Sequence, residues 1–262
     1  MSITIIFAEP RKGKTLYMSY QMNERAFEID RYREMKKEIR LLNANGFNLT
    51  VPDYSIASNY TLICKKFRYS PRRALTINPF RLGFHNNDVR THFLPPYTTV
   101  AISEAQKFFN SRKFAMYPDW QSRYYEAHGH NLLDFYMDTQ RPDLIDVNIR
   151  DLATFVHIIE SEITPKGVKW LIREIDSSKK YDVYSASGFR DKDCYTEKTV
   201  TADRTVLDVY DTRECRALFY EGHEDEDFYN KYWEDKKISK DYFTKYAKRY
   251  GKQIPDKFYK RG

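Results

Sequence analysis

The sequence predicts an α/β fold of three layers, with helices on both faces of a mainly parallel sheet. Three observations predict it. An apolar, β-rich run at the start (Ile3, Ile5, Ile6, Phe7) gives way to a tight turn and then to helix-compatible sequence. Thr98–Ile102 (TTVAI) and Leu132–Gln140 (LLDFYMDTQ) are two more buried-type strands, each followed by helical sequence. Beyond Phe155 the style changes to strand, turn, strand without intervening helices, which adds antiparallel strands at one edge of the sheet.

The turn after the first strand carries the clearest chemistry. Ala8-Glu9-Pro10-Arg11-Lys12 leads into Gly13-Lys14-Thr15-Leu16. Strand, tight turn, Gly-Lys-Thr and helix in that order make a phosphate-binding loop. In such a loop, here 8–16, backbone N–H groups wrap the phosphates of ATP and the helix N-terminus adds partial positive charge. Lys14 would reach the β- and γ-phosphates and Thr15 would hold Mg²⁺. The usual pattern is G-x-x-x-x-G-K-[ST], and Ala8 stands where its first glycine belongs. Alanine is tolerated there only where φ stays negative. A long helix is expected from Lys14 to about Leu42, stopped at Asn43–Gly46.

Asn48–Pro52 and Thr61–Phe67 read as short strands, and Ser70–Pro96 as an irregular, proline-spaced stretch with Arg72, Arg73, Arg81 and Arg90. The strand Thr98–Ile102 ends at Ser103-Glu104, with a helix expected over Glu104–Arg112. Nucleotide hydrolases of this fold end the equivalent strand in Asp-Glu: the Asp belongs to the Mg²⁺ shell, and the Glu polarises the attacking water. Glu104 fills the second position. Ser103 fills the first, where its hydroxyl can hold a metal-bound water without supplying charge. A helix over Asp119–Ala127 leads to the strand that ends in Thr139-Gln140, and Gln140 is placed to sense the γ-phosphate and orient the water. Asp146–Phe155 reads as a helix carrying Arg150, Pro165-Lys166-Gly167 as a hairpin turn, Asp191–Asp203 as a polar loop and Thr205–Tyr210 as a last strand.

Composition bounds the rest. The 262 residues suit one large domain with an appendage, and 41 % apolar content is enough for a core. The expected division is a nucleotide-binding domain over 1–220 and a basic, aromatic, helical appendage over 221–262, the two meeting at the acidic Gly222–Asp227. No stretch approaches the roughly 20 apolar residues of a membrane helix, and the start has no secretory-signal layout. Three scattered cysteines (Cys64, Cys194, Cys215) form neither a disulfide framework nor a metal spacing, which fits a reducing, cytoplasmic setting. The net charge of +7 is a modest basic excess that permits contact with nucleic acid or an anionic membrane.

Several stretches together resemble the zonula occludens toxin-like domain of filamentous phage assembly proteins, within the FtsK/HerA branch of phosphate-loop ATPases. They are FAEPRKGKT, IASNY, VAISEAQKFF, DTQRPDLIDVNIRD and VLDVYDTRE, in order from Ile3 to Glu214. The resemblance implies Lys14, Thr15, Glu104 and Gln140 as the nucleotide-handling set. It also implies a homo-oligomeric ring, expected to be hexameric, in which an arginine of one subunit completes its neighbour's site. Arg150 and Arg112 are the candidates, with Arg141 ranked behind them. The implied function is an ATP-driven motor moving DNA, or a virion with its coat and assembly proteins, at the cytoplasmic face of the host inner membrane. Anchored members of the family carry an apolar span after this domain. Its lack here implies a soluble relative recruited through a partner or the basic tail. Ser103 supports a rival reading, a nucleotide-binding scaffold with little or no hydrolysis, which turnover in Ser103→Asp would separate from a motor. A third reading, a small-molecule phosphotransferase, would use the arginines of Arg72–Arg90 as a lid.

Overall fold

The computed structural model describes residues 1–46, 51, 55–65, 71–77, 79, 82, 94, 96–111, 119–175 and 195–210. Strand β1 (Ile3–Phe7) is buried at every position, as expected of a parallel strand covered on both faces. Helix α1 (Lys14–Arg25) follows the loop, then α2 (Ile29–Ala44). Short strands β2 (Ile56–Ser58), β3 (Ile63–Cys64), β4 (Arg72–Arg73) and β5 (Leu75–Thr76) lead to β6 (Thr99–Ile102). Next come α3 (Asp119–Glu126), β7 (Asp134–Thr139) and α4 (Val147–Leu152). The described chain closes with β8 (Ala153–Thr164), β9 (Gly167–Ile175) and β10 (Tyr195–Asp203).

The main sheet has the order β10-β9-β8-β1-β7-β6-β2-β5. From β8 to β5 every neighbouring pair is parallel, and β9 and β10 extend the sheet antiparallel from β8. The mainly parallel sheet with added antiparallel strands is therefore as expected. Strands β3 and β4 pair separately as a small ribbon.

Alternate residues of the parallel strands feed two cores. On one face Ile3, Ile5, Val100, Ile102, Phe135, Met137 and Phe155 pack with Met35 and Ile39 of α2, Tyr124 and Tyr125 of α3, and Ile149 of α4. On the other Ile6, Ala101, Tyr136, Val156, Ile158 and Trp170 pack with Tyr17, Met18 and Met22 of α1 and with Val206. The start of β7 ties elements together through one carboxylate. Asp134 accepts from the Ser2 N–H at 2.6 Å and pairs with Arg31 of α2 at 2.6 Å. Burial would raise this carboxyl, but Arg31, the Ser2 N–H and the chain's terminal amine hold it below its ordinary value.

Several elements differ from expectation for identifiable reasons. The long helix breaks at Ala26–Glu28, because Arg72 donates to the Ala26 carbonyl at 2.8 Å and its guanidinium lies 5.1 Å over the Phe27 ring. The helix expected after Glu104 is one 3₁₀ turn, Ala105–Lys107, after which Phe108 and Phe109 turn into the core. Helix α4 is capped by the Asp146 carboxylate, which accepts from the Asn148 N–H at 2.9 Å. It ends early because Ala153 and Phe155 pair with Ile3 and Ile5 of β1. The Asp191–Asp203 loop is strand β10 from Tyr195 onward: with little apolar content to signal it, pairing with β9 decides. Residues 204–208 form a 3₁₀ helix where a strand was expected, capped by Asp203. Most of Asn48–Pro52 and of the Ser70–Pro96 stretch, together with Arg112, Cys194, Cys215 and everything from Asp211 on, lies outside the described residues. Among the described residues no helix is long and apolar enough to cross a membrane.

Candidate functional site

The carboxyl ends of β1, β7 and β6 lie side by side, where ligands of open α/β sheets bind. Residues 8–13 form the loop after β1. Its left-handed residues are Arg11 (φ 66°) and Gly13 (φ 73°). Ala8 is buried and is not among the positive-φ residues, so its methyl carries no left-handed penalty. Gly13 opens α1, its carbonyl accepting from the Tyr17 N–H at 2.9 Å. Lys14 follows, only 7 % exposed, with no ion pair or hydrogen bond from its side chain among the described residues. A buried ammonium at a helix N-terminus calls for an anion.

The antiparallel extension buttresses this loop. Strand β8 runs on past the level of Phe7, and a Cβ on Gly13 would meet Ser161 Oγ at 3.2 Å and the Trp170 indole nitrogen at 3.4 Å. Trp170 is fully buried between Tyr17 and Tyr20, with ring centroids 5.4 and 5.5 Å away. Gly13→Ala is therefore expected to lose stability by about 1–2 kcal/mol from the left-handed backbone alone, and to weaken nucleotide binding by displacing the loop. Thermal melts and nucleotide titration of the variant measure both; an unchanged melting temperature refutes the backbone argument.

Beside Lys14, the start of α1 and the ends of β6 and β7 meet around one carboxylate. Thr15 Oγ1 donates to Asp138 Oδ2 at 2.7 Å, and Ser103 Oγ donates to the same oxygen at 3.2 Å. The two hydroxyls stand 3.5 Å apart. The Glu104 N–H donates to Asp138 Oδ1 at 2.7 Å. Asp138 is fully buried, and burial pushes its carboxyl up to about 6 against the opposing pull of Thr15, the Glu104 N–H and the Lys14 charge. Asn59 fixes the end of β6 by a reciprocal pair: the Ser103 N–H donates to Asn59 Oδ1 at 2.8 Å, and Asn59 Nδ2 donates to the Ser103 carbonyl at 3.1 Å.

Glu104 takes a left-handed conformation (φ 54°), rare for a residue with a side chain and typical of functional sites. It lets the backbone N–H reach Asp138 while the carboxylate accepts from Gln106 Nε2. Gln140 is exposed, one residue past the Phe7–Thr139 pair, hence level with Ala8. The structure thus gathers Lys14, Thr15, Ser103 and Glu104 about one centre, with Gln140 at the rim. Arg150 does not join them. It belongs to α4, whose Ile149 packs on the sheet face opposite α1. Arg141 is exposed and 3.4 Å from Asp143. Arg72 is engaged at the α1–α2 joint, a structural role in place of the lid expected for a phosphotransferase.

Sequence reasoning missed Asp138 and Asn59. The signal for Asp138 was available: a carboxylate inside a strand read as buried requires partners. Asn59 lies in the IASNY stretch, but nothing in that stretch singles out its side chain as the one that fixes the end of β6.

No family model and no curated protein matches the sequence. Solved structures do resemble the fold. One is the N-terminal domain of zonular occludens toxin from Neisseria meningitidis, 17 % identical with a TM-score of 0.45, covering 80 % of this chain and 98 % of that one. Two more are viral. The genome packaging NTPase of Sulfolobus turreted icosahedral virus 2, solved with sulfate, is 12 % identical with a TM-score of 0.34, covering 76 % of this chain and 94 % of that one. The DNA-packaging ATPase of Sulfolobus turreted icosahedral virus is 13 % identical with a TM-score of 0.33, covering 76 % and 96 %. The toxin domain that the sequence motifs resemble is among these neighbours. All three scores lie below 0.5, and the chemistry below rests on the chain's own residues.

Proposed function

We propose that this protein is a phosphate-loop ATPase that drives movement of DNA or of an assembling virion. The observation that carries the reading is the buried Lys14 ammonium at the start of α1, which forms no ion pair among the described residues and lies close enough to the Thr15, Ser103 and Asp138 cluster to pull on the Asp138 carboxyl. That arrangement suits a triphosphate: backbone N–H groups of 8–13 and Lys14 face its charge. The donor set also fits Mg²⁺. It is all hard oxygen, and no group of three or more His, Cys, Asp or Glu among the described residues could hold a metal unaided. Magnesium accepts one or two carboxylates and completes its shell with phosphate and water oxygens. When bound, it would neutralise charge between the β- and γ-phosphates.

The chain's own residues supply the rest. Lys14 stabilises charge developing on the transferred phosphoryl group. Glu104, presented at the end of β6, polarises the attacking water, and Gln140 contacts the γ-phosphate and aligns that water. Subunits assemble as a ring, hexameric in this reading, so that an arginine of a neighbour, Arg150 or Arg112, reaches the site. The chain acts at the cytoplasmic face of the host membrane, recruited there by phage assembly proteins or by the basic tail. The domain boundary near residue 220 separates the motor from that tail. The sequence resemblance to phage assembly ATPases supports the choice of cargo.

Particle mass and turnover test this together. With ATP and Mg²⁺ a ring is expected, with turnover that DNA or the assembly partner stimulates. A protein that stays monomeric and turns over no ATP is instead a nucleotide-binding scaffold. Ser103, which brings no charge to the end of β6, is the feature that keeps that second reading in view.

A further inference from the structure

We propose that Asp138, at the end of β7, supplies the negative charge of the magnesium site, in place of the acid that Ser103 lacks at the end of β6. The proposal rests on the ATPase reading of the same site and adds to it a residue and a division of labour between two strands.

Three features carry it. The first is register. Ile102 pairs with Met137, so Ser103 and Asp138 are lateral neighbours on the face that α1 covers. A carboxylate moved from one strand end to the next stays under the same helix start. The second is bonding. Asp138 is the common acceptor for Thr15 and Ser103, the two hydroxyls placed to contact the cation, and it joins them to the backbone of Glu104. Each hydroxyl that donates its proton to Asp138 keeps its lone pairs for another partner. The carboxylate therefore leaves both oxygens ready to face a cation, as outer carboxylates do for ligands of bound metals. The third is charge. Asp138 is fully buried and forms no ion pair among the described residues. An amide would accept on one oxygen only and would turn its NH₂ toward the Thr15 and Ser103 hydroxyls, occupying the lone pairs that a cation needs. A carboxylate in this place gains by having a cation close at hand.

The proposal also explains Ser103. With Asp138 in place, a second acid at the end of β6 would stand within about 3 Å of the first, and a small hydroxyl is the residue that fits.

The test is the magnesium dependence of nucleotide binding, read with a fluorescent, non-hydrolysable ATP analogue and needing no turnover. Wild type is expected to bind the analogue weakly in EDTA and more tightly as Mg²⁺ is added. Asp138→Asn, whose oxygen still accepts from the Glu104 N–H while its NH₂ turns to the Thr15 and Ser103 hydroxyls as a donor, is expected to bind as wild type does in EDTA but to need about 10–100-fold more Mg²⁺ for the same gain. The exchange variant, Ser103→Asp with Asp138→Ser, returns the charge to β6 and is expected to recover most of the wild-type Mg²⁺ dependence. It also serves if Asp138→Asn does not fold. A wild-type Mg²⁺ dependence in Asp138→Asn, or an exchange variant that folds and binds without responding to Mg²⁺, overturns the proposal. A wild type that binds no analogue overturns the ATPase reading, and this assignment with it. A wild type that binds without any response to Mg²⁺ overturns this assignment and leaves nucleotide binding standing.

Discussion

Lys14→Ala is expected to lower ATP turnover at least ~10²-fold, the scale for loss of one preorganised group facing developing charge, while leaving the fold intact. The two halves have separate physical grounds. The ammonium is buried and forms no direct ion pair among the described residues, so removing it relieves the cost of burying a charge and gives up only a longer-range pull on Asp138. Alanine is also the best helix former for the first turn of α1. Thermal stability is therefore expected to hold within about 1 kcal/mol. Turnover must fall, because Lys14 is the buried positive charge of the loop: Arg11 is exposed and Lys12 only half-buried. Nucleotide binding should weaken as well, since Lys14 contacts the phosphates before and during the reaction. Steady-state ATPase rates, with a melt of the same preparation, decide it. Unchanged turnover removes Lys14 from the site and the ATPase reading with it. Lost turnover with a collapsed melt shows a structural lysine.

The fold was largely legible in the sequence, and the site in outline. Buried-type runs mark β1, β6 and β7 because both faces of a parallel sheet are covered, whereas period-two alternation marks the antiparallel β8–β9 hairpin, which is covered mainly on one face. Gly13-Lys14-Thr15 marked the loop because the chemistry requires those residue types in that order. What escaped was decided by contacts distant in sequence. The break between α1 and α2 depends on Arg72, forty-six residues beyond the carbonyl it takes. Strand β10 is legible only through β9, since its own residues are mostly exposed. Asp138 escaped because Thr139 and Gln140 mark the strand's end in the sequence, whereas the hydrogen bonds converge one position earlier. The doubt about Ala8 also had a three-dimensional answer: the loop makes its left-handed turns at Arg11 and Gly13.

Ser103→Asp shows how the structure reverses a sequence-based expectation. From sequence alone the substitution restores a missing metal acid and should raise activity in a weak hydrolase. In the folded protein Ser103 is 1 % exposed, with its oxygen 3.2 Å from Asp138 Oδ2. The new carboxylate would face a buried one at hydrogen-bond distance, and like charges that close do not both ionise. It would also lose the donor that Ser103 gives Asp138 and crowd Thr15 Oγ1, 3.5 Å away. The expected result is a loss of about 3 kcal/mol or more, the scale for an uncompensated buried charge, seen as a fall on the order of 6–10 °C in melting temperature. Turnover is expected to fall along with it. Asn59 adds to the penalty, because its paired hydrogen bonds hold the Ser103 backbone in place and leave the new side chain little room to swing away. Melts and ATPase assays of wild type and variant give the answer directly. A variant that melts like wild type and hydrolyses faster would place the functional charge at β6, as in hydrolases ending that strand in Asp-Glu, and would reduce Asp138 to a strand-end carboxylate that binds only its hydroxyl neighbours.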